Sequence, residues 1–146
     1  MNILVSGCLL GINCRYDCGS NLDPLLLRLM EKHNLIPVCP EQLGGLTTPR
    51  EPAEIIEDRV MNKSGVDVTK AFELGAEETL KIAALYNCKY AILKERSPSC
   101  GHGQIYDGSF SGNIIDGDGI TSKLLMENGI KIYGESHLSD LNDIFS

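Results

Sequence analysis

Short apolar runs alternate with amphipathic stretches along most of the chain. The first run holds Ile3, Leu4 and Val5 between small or polar residues, which is typical of a buried β-strand. Three later runs have the same form and are also interpreted as strands. The predicted strands are 1–7, 35–39, 90–94 and 130–133.

The amphipathic stretches have the spacing of helices that bury one face. Asp23 and Pro24 provide a cap and a first turn for the first of these helices. Gly129 follows the last of them, and glycine favours the position just beyond a helix C-terminus. The predicted helices are 22–32, 69–86 and 120–128, with one more short helix in the tail after residue 133.

The remaining segments are rich in turn-forming residues. The pattern of residues 53–66 does not indicate one type of secondary structure. The pattern of residues 104–119 predicts a β-hairpin or an irregular excursion. The alternation of strand and helix predicts an α/β fold. We expect a single-domain, three-layer, Rossmann-like open sheet over residues 1–146, mostly parallel, with a small β-hairpin excursion. The predicted loops are 8–21, 40–52 and 95–103.

The charge of the chain limits its partners. Its 146 residues include 20 acidic and 13 basic side chains, which gives a net charge of −7. Binding of polymeric nucleic acid requires a basic face, so this acidic charge argues against it. The charge does not exclude a single base held in a pocket. No apolar run approaches the roughly 18 residues of a membrane span, and the first residues carry no cleavable signal. We therefore expect a cytoplasmic protein that binds neither membranes nor polymeric nucleic acid.

The six cysteines are the first indication of chemistry. In a reducing compartment they favour metal binding or catalysis over a disulfide framework. Each of the three predicted loops follows a strand, and parallel strands would open all three at the edge of the sheet where ligands bind. Five of the six cysteines then lie on or beside that edge, and Cys88 lies elsewhere.

Three thiolates on different loops can hold a cubane iron–sulfur cluster. With three protein ligands, such a cluster keeps one iron open to act as a Lewis acid. The spacing of Cys8 and Cys14 matches neither the ferredoxin run nor a zinc ribbon. On spacing alone, an iron–sulfur site, a zinc site and buried inert thiols are three open interpretations.

Three longer segments resemble the signatures of one bacterial family, domain of unknown function 523, which includes the thiouracil desulfidases. The segment 119–130 also resembles the closing helix and strand of that family, so the resemblance covers nearly the whole chain. The three segments are Val-Ser-Gly-Cys-Leu-Leu-Gly-Ile-Asn-Cys-Arg-Tyr-Asp at 5–17, Cys-Pro-Glu-Gln-Leu-Gly-Gly-Leu-Thr-Thr-Pro-Arg at 39–50 and Leu-Lys-Glu-Arg-Ser-Pro-Ser-Cys-Gly at 93–101.

This resemblance implies a non-redox desulfuration. In the family, a [4Fe-4S] cluster on three cysteines binds the sulfur of a thiolated pyrimidine at its open iron. Water replaces that sulfur with oxygen, and hydrosulfide leaves. The implied partner is therefore a small thiolated pyrimidine base, nucleoside or nucleotide, and the implied cofactor is a [4Fe-4S] cluster.

Motif matching to the family also implies roles for individual residues. Glu41 corresponds to the acidic catalytic residue, which could take a proton from water if burial or a neighbouring charge raises its pKa. Ser99 corresponds to the catalytic serine, and Ser97 is the alternative or a substrate contact. The implied cluster ligands are Cys8, Cys14 and Cys100.

Several other residues near these motifs allow two interpretations. Arg15 and Tyr16 could bind substrate through charge and stacking, or they could anchor their loop through an ion pair with Asp17. Arg50 could likewise bind substrate or pair with Glu41.

The other cysteines are expected to have different roles. Cys39 ends an apolar strand, so we expect a packed core thiol there, and Cys88 is also expected to be structural. Cys18 lies close enough to Cys14 in sequence to compete as a ligand.

Two other functions fit the same residues. An iron–sulfur protein could carry or sense sulfur without hydrolase activity, and a zinc-binding module could be purely structural. Retention of sulfide without turnover would favour the carrier or sensor. Zinc without a visible chromophore would favour the structural module.

Overall fold

The computed structural model describes residues 1–139, and the chain alternates strands with helices over this range. Short 3-10 turns also occur at Gly7–Leu10 and Glu135–His137. In chain order the elements are β1 (Asn2–Ser6), α1 (Pro24–Leu29), β2 (Asn34–Val38), α2 (Pro40–Leu43), β3 (Ala53–Ile56), β4 (Arg59–Asn62), α3 (Thr69–Leu85), β5 (Tyr90–Leu93), β6 (Gln104–Tyr106), β7 (Ile114–Asp116), α4 (Ile120–Glu127) and β8 (Lys131–Gly134).

The central sheet has four strands in the order β2-β1-β5-β8, and each neighbouring pair is parallel. The chain moves from β1 to β2 on one side and then crosses to β5 on the other. The strand order therefore reverses between β1 and β5, which is where open α/β sheets bind ligands. This arrangement confirms the predicted α/β fold with a parallel open sheet. Pro37 lies in the edge strand β2, where a missing backbone donor is tolerated.

The sheet is covered on both faces, as the alternation of its side chains requires. Ile3 and Val5 of β1 pack with Leu26 of α1 in one core cluster. Leu4, on the opposite face of the same strand, packs with Ala83 of α3 in a second cluster that also includes residues of α4. Burial of successive side chains on opposite faces is the reason why β1 is a continuous apolar run.

The structure contains the predicted cap at the start of α1 and the predicted glycine after the end of α4. The side chain of Asp23 accepts a hydrogen bond from the backbone N–H of Leu25 at 3.0 Å, and Pro24 begins α1. Gly129 follows α4 with φ of 80°, in the left-handed region expected for a residue past a helix end. However, α1 ends at Leu29, three residues earlier than predicted, because the chain tightens into turns there.

Two regions differ from the sequence prediction. The predicted loop 40–52 begins with the short helix α2, because Pro40 favours a first helical position. The ambiguous segment 53–66 contains the antiparallel hairpin β3–β4, while the predicted hairpin within 104–119 is present as β6–β7. A short 3-10 turn at Glu135–His137 begins the tail in which one more helix was predicted, and the tail beyond residue 139 lies outside the described residues. Within residues 1–139, no helix is both long and apolar enough to cross a membrane.

Helices α2 and α3 touch backbone to backbone. A Cβ atom on Gly75 of α3 would lie 1.9 Å from the carbonyl oxygen of Pro40. A Cβ atom on Gly44 would lie 1.9 Å from the carbonyl oxygen of Ala71. Only glycine fits at both places, so α2 is held against α3 with no side chain between them.

We expect Gly75→Ala to destabilise the protein, although alanine is the better helix former by about 1 kcal/mol. The methyl group would collide with backbone, and overpacking of this kind costs about 1–3 kcal/mol. Chemical denaturation of the cluster-free protein should therefore show a lower free energy of unfolding. Glu77→Ala, on the exposed side of α3, is the matched control and should change that free energy by less than about 0.5 kcal/mol. Equal or greater stability of Gly75→Ala would contradict the contact.

Candidate active site

The carboxyl ends of β1, β2 and β5 open into a cavity of about 380 Å³. This volume is within the range of small-molecule sites, about 300–1,000 Å³. All three predicted loops contribute to its lining, and so do the two hairpins. The predicted site residues that line it are Cys8, Cys14, Arg15, Tyr16, Glu41, Arg50, Ser97 and Cys100.

Four cysteines share this cavity. Cys8, Cys14 and Cys100 are buried, and Cys39 is partly buried. The thiols of Cys8 and Cys39 are close enough to the Cys14 thiol to shift its pKa. Cys39 also donates a hydrogen bond to the Cys14 carbonyl oxygen, at 3.5 Å. The fold therefore brings thiols from three separate loops to one place.

These thiols differ in how readily they ionise. Interaction with the neighbouring Cys14 thiol lowers the pKa of Cys8 to about 7 and the pKa of Cys39 to about 6. The same interactions raise the pKa of Cys14. Burial raises the pKa of Cys100 to about 12. A buried thiol of this kind ionises readily only beside a positive centre such as a metal ion, which stabilises the thiolate.

The three cysteines outside the predicted ligand set have different environments. Cys39 packs against the core, as expected, and it also lines the cavity. Cys88 is buried in the second core cluster. Cys18 is exposed, is not among the cavity-lining residues and has φ of 65° in a turn closed on Arg15. Its position does not support a role as a competing ligand.

Glu41 lies in the first turn of α2 and faces the cavity. Burial raises the pKa of its carboxyl group, and the guanidinium of Arg50 opposes this shift. The Arg50 Nε to Glu41 Oε1 distance is 3.5 Å, longer than the roughly 2.7–2.9 Å of a strong charge-assisted hydrogen bond. The carboxyl group therefore combines a raised pKa with a position on the cavity wall, as a proton acceptor for a bound water requires.

Arg50 connects the loops around the site. Its Nη2 donates to the Cys14 carbonyl oxygen at 2.8 Å and contacts the Cys39 sulfur at 4.0 Å. Its Nη1 donates to the hydroxyl of Thr48 at 2.8 Å and to the carbonyl oxygen of Thr47 at 3.1 Å. Only 7% of the side chain is exposed. With its donors engaged by protein atoms, the geometry favours the structural interpretation of Arg50 over the substrate contact.

Two serines of the third loop have different environments. The Ser97 side chain lines the cavity, and its oxygen accepts hydrogen bonds from the backbone N–H groups of Ser99 and Cys100, both at 3.0 Å. Ser99 is buried, with its oxygen 2.8 Å from the hydroxyl of Thr121, and it does not line the cavity. The structure therefore places Ser97 on the cavity wall and the Ser99 hydroxyl in the packing against α4.

Arg15 and Tyr16 lie on the cavity wall. Arg15 is 3.5 Å from Asp17 and donates to Asn21 at 2.7 Å, and its guanidinium carbon lies 5.7 Å from the centre of the Tyr16 ring. The Arg15 side chain is 32% exposed, so it remains within reach of a ligand. Both predicted interpretations, a loop anchor and a substrate contact, are compatible with this geometry.

A single metal ion requires a closer set of ligands than a cluster does. Within residues 1–139, no group of three or more Cys, His, Asp and Glu side chains could hold one ion. The described part of the chain thus provides no ligand set of the kind that a structural zinc requires. In a cubane cluster each thiolate binds a different iron, so its sulfur ligands lie farther apart than those of one ion.

Family membership follows from the fold and from the motifs that form this cavity. The chain belongs to the 2-thiouracil desulfurase family, whose family model matches residues 3–137. This confirms the resemblance seen in the sequence. The chain is 44% identical to the uncharacterized protein YbbK of Bacillus subtilis (strain 168) in an alignment of 149 positions. The alignment covers 95% of this chain and 99% of YbbK.

A solved structure is similar over almost the whole chain. It is that of the [4Fe-4S]-dependent thiouracil desulfidase TudS (DUF523Vcz), with a TM-score of 0.92 and 42% sequence identity. The match covers 98% of this chain and 96% of TudS. The central sheet and its flanking helices are therefore those of a family that includes a desulfidase.

Replacement of Arg50 by glutamine should destabilise the cluster-free protein by about 3 kcal/mol. It would remove the cation beside partly buried Glu41 and leave the Cys14 carbonyl oxygen with only the weaker Cys39 thiol as its donor. Arg15→Gln is the matched control, because Arg15 has one carboxylate partner in a more exposed setting, worth less than about 1 kcal/mol. Urea denaturation of both variants tests this. Equal losses of stability would show that Arg50 does not hold the loops together.

Proposed function

We propose that this protein hydrolyses the C–S bond of a thiolated pyrimidine base, nucleoside or nucleotide and releases hydrosulfide. The observation that carries the proposal is the convergence of Cys8, Cys14 and Cys100 in one cavity with Glu41 on its wall. The similarity to a [4Fe-4S]-dependent thiouracil desulfidase supports it. We place this activity in the cytoplasm, since the six cysteines are all unpaired and suit a reducing compartment.

The proposed cofactor is a [4Fe-4S] cluster held by Cys8, Cys14 and Cys100. The donor set fits such a group: it consists of thiols, they come from loops at one sheet edge, and burial of Cys100 favours a thiolate only beside positive charge. Cys39 is the fourth thiol of the cavity, but its sulfur already contacts the Cys14 carbonyl oxygen and Arg50. When bound by three thiolates, the cluster supplies an iron without a protein ligand, which acts as a Lewis acid toward a thiocarbonyl sulfur.

Glu41 is the proposed general base. Its carboxylate accepts a proton from the water whose oxygen attacks the thiocarbonyl carbon. The C–S bond breaks, a C=O bond replaces C=S, and sulfur leaves as hydrosulfide with the second proton of the water. Glu41 then releases the first proton to solvent, so one water is consumed and no electrons are transferred. A raised pKa brings Glu41 closer to neutral pH, which improves a base of this kind.

Ser97 is the proposed serine of the site, in place of Ser99. Its hydroxyl faces the cavity while its oxygen is fixed by two backbone donors, which leaves its own O–H free to donate toward the substrate. Arg15 and Tyr16 are proposed substrate contacts on the opposite loop. Arg50 is assigned to positioning Cys14 and Glu41.

Anaerobic reconstitution with iron and sulfide, followed by incubation with 2-thiouracil or 4-thiouridine monophosphate, tests this function directly. We expect the broad visible absorbance of a [4Fe-4S] cluster together with stoichiometric hydrosulfide and the oxygenated pyrimidine. A cluster that retains sulfide without turnover would instead identify a carrier or sensor. Absence of any cluster, with zinc bound, would overturn the proposal.

Cysteine variants define the ligands in the same experiment. Cys8→Ala, Cys14→Ala and Cys100→Ala should each lose most of the cluster absorbance. Cys18→Ser, an exposed cysteine outside the cavity, is the matched control and should retain it. We expect Cys39→Ser to retain the cluster as well, and its loss there would add Cys39 to the ligand set.

The proton-handling residues can be separated from the ligands. Glu41→Gln should assemble the cluster but lower kcat about 100-fold or more, the usual contribution of a general base. Ser97→Ala should also lower kcat with the cluster intact. Ser99→Ala is its matched control: loss of the buried hydrogen bond to Thr121 should cost about 1 kcal/mol of stability but leave kcat within about threefold. The reverse pattern for the two serines would restore Ser99 to the mechanism.

A further inference from the structure

The two hairpins outside the central sheet meet beside the cavity. Glu54, on β3, is only 8% exposed and lines the cavity. Its Oε1 accepts hydrogen bonds from the backbone N–H of Gly108 at 3.0 Å and of Phe110 at 3.1 Å. Both donors belong to the loop between β6 and β7. A single buried carboxylate thus fixes this loop against the β3–β4 hairpin.

The loop has a backbone shape that needs such support. Phe110 has φ of 56°, in the left-handed region that aromatic side chains rarely adopt. Gly108 has φ of 93°, and a Cβ atom there would lie 2.9 Å from the carbonyl oxygen of Ile55. Strained residues of this kind persist only where their surroundings hold them, and they concentrate at functional sites. The strain at Phe110 accompanies a side chain that lines the cavity.

Aromatic side chains are concentrated around this cavity. The whole chain has five Tyr, three Phe and no Trp. Seven of these residues lie within residues 1–139, and three of the seven, Tyr16, Tyr106 and Phe110, line the cavity. They come from the first loop, from strand β6 and from the β6–β7 loop, so they approach the cavity from separate elements. Flat aromatic faces favour a flat ring as their ligand, because offset stacking adds to the burial of area.

We propose that Phe110 is a specificity-determining residue that stacks on the planar ring of the substrate, and that Glu54 is the positioning residue that holds it there. This inference rests on the proposed desulfuration of a thiolated pyrimidine and deepens it. It assigns one stacking contact with the ring to the β6–β7 loop, beside that of Tyr16 on the first loop, while the three sheet-edge loops also carry the cysteines and Glu41. Through this stacking contact, Phe110 selects a substrate whose ring is planar and aromatic.

The test compares 2-thiouracil with its 5,6-dihydro analogue, which keeps the thiocarbonyl group but has a puckered ring. Phe110→Asn removes the aromatic ring, and asparagine tolerates the left-handed backbone. We expect this variant to raise KM for 2-thiouracil about tenfold with kcat nearly unchanged. The ratio of kcat/KM for 2-thiouracil over the dihydro analogue should fall by a similar factor. Phe110→Tyr keeps the ring and should leave both quantities within about twofold.

Glu54 is tested through the same quantities. Glu54→Ala should raise KM as Phe110→Asn does, whereas Glu54→Gln retains an acceptor oxygen and should restore a KM close to that of the wild type. The double variant Glu54→Ala with Phe110→Asn should be no worse than Phe110→Asn alone, because Glu54 acts through Phe110. Additive losses would show that Glu54 has only a structural role.

Binding of uracil to the reconstituted protein separates this inference from the proposed function. Uracil has the planar ring but no sulfur, so calorimetry measures recognition of the ring without turnover. Weaker binding by Phe110→Asn, at unchanged cluster absorbance, supports the inference even if the wild type releases no hydrosulfide. Unchanged uracil affinity and an unchanged preference over the dihydro analogue would overturn it, while an active wild type would leave the desulfidase proposal intact.

Discussion

Parallel pairing of the central strands is the constraint on which the site depends. Because β1, β2 and β5 run in the same direction, the loops that follow them all emerge at one edge. The reversal of strand order between β1 and β5 separates the loop carrying Cys8 and Cys14 from the loop carrying Cys100, and this opens a crevice between them. The thiols approach from opposite sides of that crevice. An antiparallel neighbour at either position would have sent one loop to the far edge.

One guanidinium group, that of Arg50, contacts several of the polar and ionisable groups at this edge of the sheet. Arg50 lies against the Cys14 carbonyl oxygen, the Cys39 sulfur and the Glu41 carboxylate. A buried cation in this position moderates the rise in the pKa of Glu41 and helps to lower the pKa of Cys39. Arg50 therefore fixes the positions of several anionic or polar groups at once, which a single ion pair would not do.

Much of this architecture was predictable from local signals in the sequence. An apolar run predicts strand β1. Asp23 with Pro24 predicts the start of α1, and Gly129 predicts the end of α4. The convergence of the cysteine loops follows from the rule for parallel sheets. The choice between Ser97 and Ser99 was not predictable, since it depends on how one turn orients two neighbouring hydroxyl groups. Nor was the hydrogen bond to Glu54 from the backbone of Phe110, which lies 56 residues away in sequence.

The bare contact between α2 and α3 extends the functional site beyond the residues that touch a ligand. Glu41 belongs to a helix of four residues, too short to be stable alone, and its position is set by the backbone of α3 through Gly44 and Gly75. Natural selection on the proposed catalytic carboxylate would therefore also act on two glycines that do not line the cavity. Within such a family, the side of α3 that faces α2 would evolve at the pace of the active site, while its opposite side would drift like an ordinary surface.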